Sequence, residues 1–219
     1  MPERPRSRRK DAALTRVDDL TRRERLLASS GVTVVAGIDE AGRGALAGPV
    51  VAGCVVFEAG TWFPGVDDSK RLSPKRRNEL YDRIMDAAAG VGVGIADVET
   101  IERINVLEAT RVAACSAFAA LGIMPQHVFS DALALDLGLP VSALAHADAT
   151  IYSVAAASIV AKVTRDRIMI ALDEIYPHYG FARHKGYGTA EHRQAIRQYG
   201  ACAIHRTKFL RKILRTTDV

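Results

Sequence analysis

Apolar and polar positions change period several times along the chain, and the changes divide it into elements. Residues 1–15 carry no sustained apolar face and are predicted as a disordered basic arm. Over 16–28, Val17, Leu20 and Leu27 fall on one side among charges, the spacing of a short helix. Two apolar runs, 33–39 and 48–57, read as strands, the second rich in valine and opening after Gly48-Pro49. Their short connection allows antiparallel pairing. Ser73 ahead of Pro74 marks a helix start, Leu80, Ile84 and Ala88 form its apolar stripe, and Gly90 stops it. A strand at 91–97, a helix at 98–120, strands at 127–131 and 141–147, and a long helix at 152–175 ending before Pro177 follow. Phe209, Leu210, Ile213 and Leu214 recur at helical spacing, so the C-terminal tail is predicted to pack. Early strands followed by strand–helix alternation predict an α/β fold, a mixed sheet flanked by helices with a helical C-terminal region.

Composition narrows the classes. A chain of 219 residues with 48% hydrophobic side chains suits one domain with a substantial core. No apolar run approaches the roughly 20 residues that span a bilayer, and no membrane association is expected. The Arg-rich N-terminus lacks the apolar core of a secretory signal. Cys54, Cys115 and Cys202 lie far apart and are odd in number, which argues against a disulfide framework and suits the cytoplasm. Each is expected as a small buried hydrophobe. His178, His184, His192 and His205 make no compact zinc pattern and are expected as surface histidines.

Charge is uneven. Five basic and one acidic side chain fall within residues 1–10, and the same numbers within 205–219. Against a net charge of +5, the tails carry a surplus of eight, and the rest of the chain is net acidic by three. Cationic tails imply a polyanionic partner. Arg206, Lys208, Arg211, Lys212 and Arg215 are expected as phosphate contacts.

The densest chemistry is Asp39-Glu40-Ala41-Gly42-Arg43-Gly44, behind the run Val34 to Ile38. Neighbouring strand residues point to opposite faces, so the acidic pair converges only where the strand ends or bends. The glycines allow that bend and bring main-chain N–H groups close to a ligand, with Arg43 as a cation for phosphate. Strands ending at Asp39-Glu40, at Asp131 and beside Asp148 would gather four carboxylates at one sheet edge. Such an oxygen-rich cluster suits Mg²⁺ or Mn²⁺, and its mutual repulsion calls for a cation.

DEAGRG at 39–44, Asp68-Ser69-Lys70, Ala156 to Ile159 running into Ala161 to Asp166, and His184-Lys185-Gly186-Tyr187-Gly188-Thr189 occur in that order. Together, from about Val34 to Phe209, they resemble ribonuclease HII, the bacterial type 2 ribonuclease H. The resemblance implies a ribonuclease H-like catalytic domain over 33–219 behind a basic arm and short helix at 1–32. It implies Asp39, Glu40, Asp131 and Asp148 as the catalytic and metal-binding set, with Mn²⁺ or Mg²⁺ and a two-metal mechanism. The activity implied is hydrolysis of RNA in RNA–DNA hybrids and incision 5′ to single ribonucleotides in duplex DNA; a monomer is expected, though the sequence does not give the oligomeric state. It also gives Tyr187 the role of probing the sugar beside the ribonucleotide. Gly42, Arg43, Gly44, Ser69, Lys70, Lys162, Arg165 and His184 are the other expected nucleic-acid contacts. Lys162 and Arg165 share a helix face at i, i+3, and salt bridging remains open for both. Ala132 and Ala147 depart from the family pattern, which usually has glycine after the third carboxylate and often before the fourth. Asp136, close to Asp131, is expected in a solvated loop.

The sibling ribonuclease HIII carries an extra N-terminal domain, and about 32 residues before the first strand are too few for one. Two rivals differ in class. A silent hybrid-binding module would show no metal-dependent cleavage, and a paired-carboxylate glycosidase would act without a divalent metal. Contact with a sliding clamp is not readable from the sequence.

Overall fold

A computed structural model describes residues 5–214, with side-chain environments from 14 to 211. Its five strands, β1 (Val35–Ala41), β2 (Val50–Phe57), β3 (Gly90–Ala96), β4 (His127–Asp131) and β5 (Val141–Leu144), form one sheet in the order β3-β2-β1-β4-β5. β1 pairs antiparallel with β2, and β2 with β3, while β1–β4 and β4–β5 are parallel. All eight residues of β2 are buried, because helices cover both faces. On one face α5 (Tyr152–Ile175) and α2 (Pro74–Ala87) close a core with Val55, Phe57, Leu80, Ile84, Tyr152 and Ile159. On the other, α4 (Val106–Ala119) packs its alanines against Ala52, Cys54 and Val56. Gly37 lets α5 approach β1 closely: a Cβ there would stand 2.2 Å from the main chain of Ser153.

Several boundaries differ from expectation. α1 runs Pro5–Ser29 and so extends into the stretch expected to be disordered. Its Arg, Lys and Ala are good helix formers and Pro5 suits a first helical position. Val17 and Leu20 are core residues, so this helix belongs to the same core as the sheet. β1 starts at Val35 because the main-chain N–H groups of Thr33 and Val34 are taken by the Gln126 side chain. The expected single helix over 98–120 is two, α3 (Val98–Ile104) and α4, broken at Asn105. That residue has φ 71° and caps α4 by accepting from the N–H groups of Leu107 and Glu108. β5 stops at Leu144, and His146, at φ 59°, turns the chain into a 3-10 turn at Ala147–Ala149. Asp148 therefore sits in that turn. Cys54 is buried, but Cys202 is only partly buried and Cys115 is exposed, since it lies on the solvent side of α4.

α6 (Phe181–His184), α7 (Ala190–Tyr199) and α8 (Thr207–Leu214) complete the described residues. Leu210 of α8 is buried with Ile196. The side chains of Ile213 and Leu214, like those of Lys212 and Arg215, lie outside the described residues.

Candidate active site

The parallel pairing of β1 with β4 ends at Ile38 and Ser130, whereas β1 stays paired with β2 as far as Ala41. A fork therefore opens at the carboxyl ends of two parallel strands, where open α/β sheets bind ligands. Asp39 and Glu40 stand on one arm and Asp131 on the other. All three line a cavity of about 220 Å³ with Gly42, Arg43, Gly44, Ser69, Lys70, Lys162 and Tyr187. Asp148, buried behind Lys70, joins through an ion pair in which Lys70 Nζ donates to Asp148 Oδ2 at 2.8 Å. Asp131 Oδ1 accepts from the N–H of Ala147 at 2.8 Å, tying the β4 end to the turn that carries Asp148.

The acidic pair does not need the end of the strand: Asp39 and Glu40 lie within β1, and the loss of the β4 neighbour opens the site. Burial, then the negative charges of Glu40, Asp131 and Asp148, push the Asp39 carboxyl well above the usual carboxylate range. Burial also raises Glu40, opposed by the guanidinium of Arg43, whose Nη1 donates to Glu40 Oε1 at 3.1 Å. Lys70 loses hydration, which works against its charge. The hydrogen bond and charge of Asp148, with the charges of Asp39 and Asp68, together outweigh that loss and hold the ammonium charged. Among the described residues, no three His, Cys, Asp or Glu side chains are already gathered for a metal ion. Lys70 and Arg43 supply the positive charge. The donors are nonetheless all carboxylate oxygens around a repelling centre, the chemistry that suits Mg²⁺ or Mn²⁺.

Two positions near the fork carry strained backbone. Ala132 has φ 50° and His146 has φ 59°, left-handed values that favour glycine. The glycine expected after the third carboxylate thus has a geometric reason, and alanine stands in its place. Ala147, the other departure, is buried in the 3-10 turn at ordinary φ. Asp136 is exposed in the following loop, away from the cavity.

The glycine loop rests on buried arginines. A Cβ on Gly42, at φ 96°, would stand 2.0 Å from Arg165 Nε. Arg165 is wholly buried and donates to the carbonyls of Pro49, Ala47 and Lys185 at 2.9–3.0 Å. It is therefore a scaffold for the loop, not the phosphate contact expected for it. Arg206 departs in the same way: fully buried, it donates to Gly48 O through Nε and Nη2 and to Arg43 O at 2.9 Å. Burial pulls it down to about 10. Lys208 is held by the carbonyl of Glu102 at 2.5 Å, while Arg211 is exposed.

Lys162 reaches the cavity and also bonds Asp166 Oδ1 at 2.7 Å, so it both lines the site and bridges. The half-buried Tyr187 ring lies under two cations, Lys162 Nζ at 5.5 Å and Arg165 Cζ at 5.2 Å from its centroid. Ser69 is buried, and its N–H donates to Ser158 Oγ at 3.2 Å. His184, expected at the surface as a nucleic-acid contact, is buried against Tyr179 O at 2.7 Å, and His192 and His205 are buried with it. An aromatic pocket around Phe181 encloses all three.

Sequence reasoning missed Arg16. Its Nη2 donates to Asp67 Oδ1 at 2.5 Å and to Ala149 O at 2.9 Å, joining α1 to the loop before Lys70 and to the turn of Asp148. Position 16 lies one residue before the buried Val17, a weak signal that it faces the domain.

The sequence profile described as Ribonuclease HII matches residues 36–212. A ribonuclease HII of Geobacillus thermodenitrificans is 50% identical over 201 residues, covering 92% of this chain and 78% of the relative. Among solved structures, the ribonuclease H2 of Pyrococcus horikoshii superposes with a TM-score of 0.67 at 31% identity, covering 84% of this chain and 98% of its own. The RNase HII of Archaeoglobus fulgidus, solved in complex with PCNA, gives 0.67 at 28% identity, with 80% and 94% covered.

Proposed function

Because the chain belongs to the ribonuclease HII family, endoribonucleases of RNA–DNA hybrids that use divalent metals, we propose that it also incises duplex DNA 5′ to a single embedded ribonucleotide, leaving 3′-hydroxyl and 5′-phosphate ends. The observation that carries this reading is the carboxylate fork opening beside the Gly42-Arg43-Gly44 loop and Tyr187 in one cavity. Asp39, Glu40, Asp131 and Asp148 would hold Mg²⁺ or Mn²⁺. When bound, two such ions supply an activated water and stabilise a leaving 3′ oxygen.

The other roles fall to the chain's own groups. A 2′-hydroxyl is the one local group that separates RNA from DNA. Main-chain groups of the Gly42–Gly44 loop, packed against Arg165 at Gly42 and held by Arg206 at the Arg43 carbonyl, are near enough to the carboxylates to read it. Tyr187 offers a ring for a sugar or base. Lys70, whose side chain is 74% exposed, and Lys162 are placed for phosphates. The Lys70 ammonium, which donates to Asp148 from the solvent side, would turn to the backbone of a bound strand.

Incision of a duplex carrying one ribonucleotide, beside its all-DNA twin, with and without Mn²⁺, tests the proposal. Cleavage of the first substrate alone, and only with metal, is expected. Binding without cleavage would make the chain a silent hybrid-binding module, and the proposal would be withdrawn.

A further inference from the structure

Beneath Tyr187 lies a polar chain that the proposed chemistry does not use. His192 and His205 are 0% and 2% exposed, and their partners dictate where each proton sits. The N–H of Cys202 can only donate and lies 2.9 Å from His205 Nδ1, so that nitrogen accepts and His205 carries its proton on Nε2. His205 Nε2 lies 3.0 Å from His192 Nε2, which must then accept. The proton of His192 is left on Nδ1, 3.0 Å from the carbonyl of Tyr187, which can only accept. One assignment satisfies every group from Cys202 to Tyr187.

His184 stacks on His192 with centroids 4.4 Å apart. Its Nδ1 accepts from the N–H of Gly186 at 3.2 Å, and its Nε2 then donates to Tyr179 O at 2.7 Å. Burial holds His192 and His205 near 4, so both are neutral at ordinary pH. A further proton on either ring would face another donor.

The chain ends on main-chain groups of the segment that bears Tyr187. That segment needs holding, because Lys185 at φ 54° and Gly186 at φ 80° are consecutive left-handed residues, a conformation that persists only when its surroundings over-determine it. Apolar rings would fill the same space without engaging Gly186 or Tyr187. We propose that His205, His192 and His184 are positioning residues for Tyr187, a neutral imidazole relay that fixes how its ring meets nucleic acid and so sets selectivity for a ribonucleotide junction. The selectivity rests on the role given to Tyr187 above; the relay does not.

Two measurements on the full chain separate these parts. Nitrogen-15 correlation spectra of the histidine rings should find His192 protonated on Nδ1, and His205 and His184 on Nε2. His192 protonated on Nε2 would overturn the relay whatever Tyr187 does. For selectivity, kcat/KM is measured on a single-ribonucleotide duplex and on a long RNA–DNA hybrid, and the ratio is compared among variants. His192→Phe keeps a ring but loses the bond to Tyr187 O, while His192→Asn retains an N–H near the Nδ1 position. The Phe variant should lower the ratio about tenfold, the scale of one lost stacking contact. The Asn variant should restore most of it, and Tyr187→Ala should lower it at least as far. If Tyr187→Ala lowers the ratio and His192→Phe does not, the positioning role is overturned. If Tyr187→Ala leaves the ratio unchanged, the reading of Tyr187 fails, and with it the selectivity claim. Should His192→Phe not fold, His205→Gln, which keeps an N–H toward His192, and His205→Leu are the matched pair, judged by the same ratio.

Discussion

At the fork of β1 and β4, cations reach the carboxylates from outside: Lys70 on Asp148 and Arg43 on Glu40, with cation side chains 74% and 44% exposed. Under the glycine loop the cations come from within. Arg165 and Arg206 are wholly buried, and their guanidinium groups are spent on main-chain carbonyls of residues 43–49 and 185. The Asp148 and Glu40 carboxylates are 4% and 13% exposed while their cations stand in solvent, so the fork keeps a demand for positive charge that an entering metal ion can meet, and the displaced cations are open to phosphates. A buried guanidinium cannot leave without orphaning its acceptors. The first region is poised for exchange, and the second is fixed as a template. The reading proposed for this site needs both, a replaceable charge at the chemistry and an unyielding backbone beside it.

The largest way to break the comparison is to remove charge from the fork. Asp131→Asn should lower cleavage about a thousandfold, or about 4 kcal/mol of transition-state stabilisation, while duplex binding persists. Asp136→Asn, in the exposed loop, should change little. The reverse pattern in a cleavage assay would move the third carboxylate to Asp136.

Next comes the template. Arg165→Met should cost about 4 kcal/mol in urea unfolding, because three carbonyls lose a charged donor at once. A loss below about 1 kcal/mol would mean that the loop does not depend on it.

Glu24 sharpens the contrast from a third direction, as a buried carboxylate that no described cation relieves. Its Oε1 accepts from the N–H of Ser153 at the start of α5, while Oε2 has no partner among the described residues. Burial raises it from 4.5 to about 7. Between those values the folded chain holds a proton that the unfolded chain has lost, so stability falls as pH rises through the window and levels off above it. The fall should approach about 3 kcal/mol, and Glu24→Gln should flatten it in urea titrations from about pH 4.5 to 8. A slope that survives the substitution would assign the proton elsewhere.

The smallest effect concerns strain at the rim of the fork. Ala132→Gly should stabilise by about 1 kcal/mol or less, since glycine accepts φ 50° freely but loses more entropy on folding. Destabilisation in thermal unfolding would show that the alanine methyl contributes packing that exceeds the strain.

Much of this was legible in the chain. Period-two and period-3.6 runs give the sheet and its covering helices, and Asp39, Glu40 and Asp131 announce themselves at or near strand ends. What was not legible depends on partners distant in sequence. Lys162 and Arg165 share a helix face, and only the packing of residues 47–49 and 185 against α5 decides that the arginine is interior. A signal existed: Arg165 continues the buried line of Ser158, Ala161 and Met169. Arg206 looked like one more cation in a basic tail because its acceptors lie more than 150 residues away. The three buried histidines share no period, so nothing local separated them from surface histidines. The break at Asn105 could have been found, since asparagine is a favoured N-cap.

The division between an exchangeable fork and a fixed template is tested most directly by Mn²⁺ titration calorimetry on the wild-type chain, Asp131→Asn and His192→Phe under one buffer and salt. The account predicts that Asp131→Asn loses most Mn²⁺ affinity, whereas His192→Phe binds Mn²⁺ as the wild type does. Equal loss in both variants, or wild-type binding by Asp131→Asn, would contradict it.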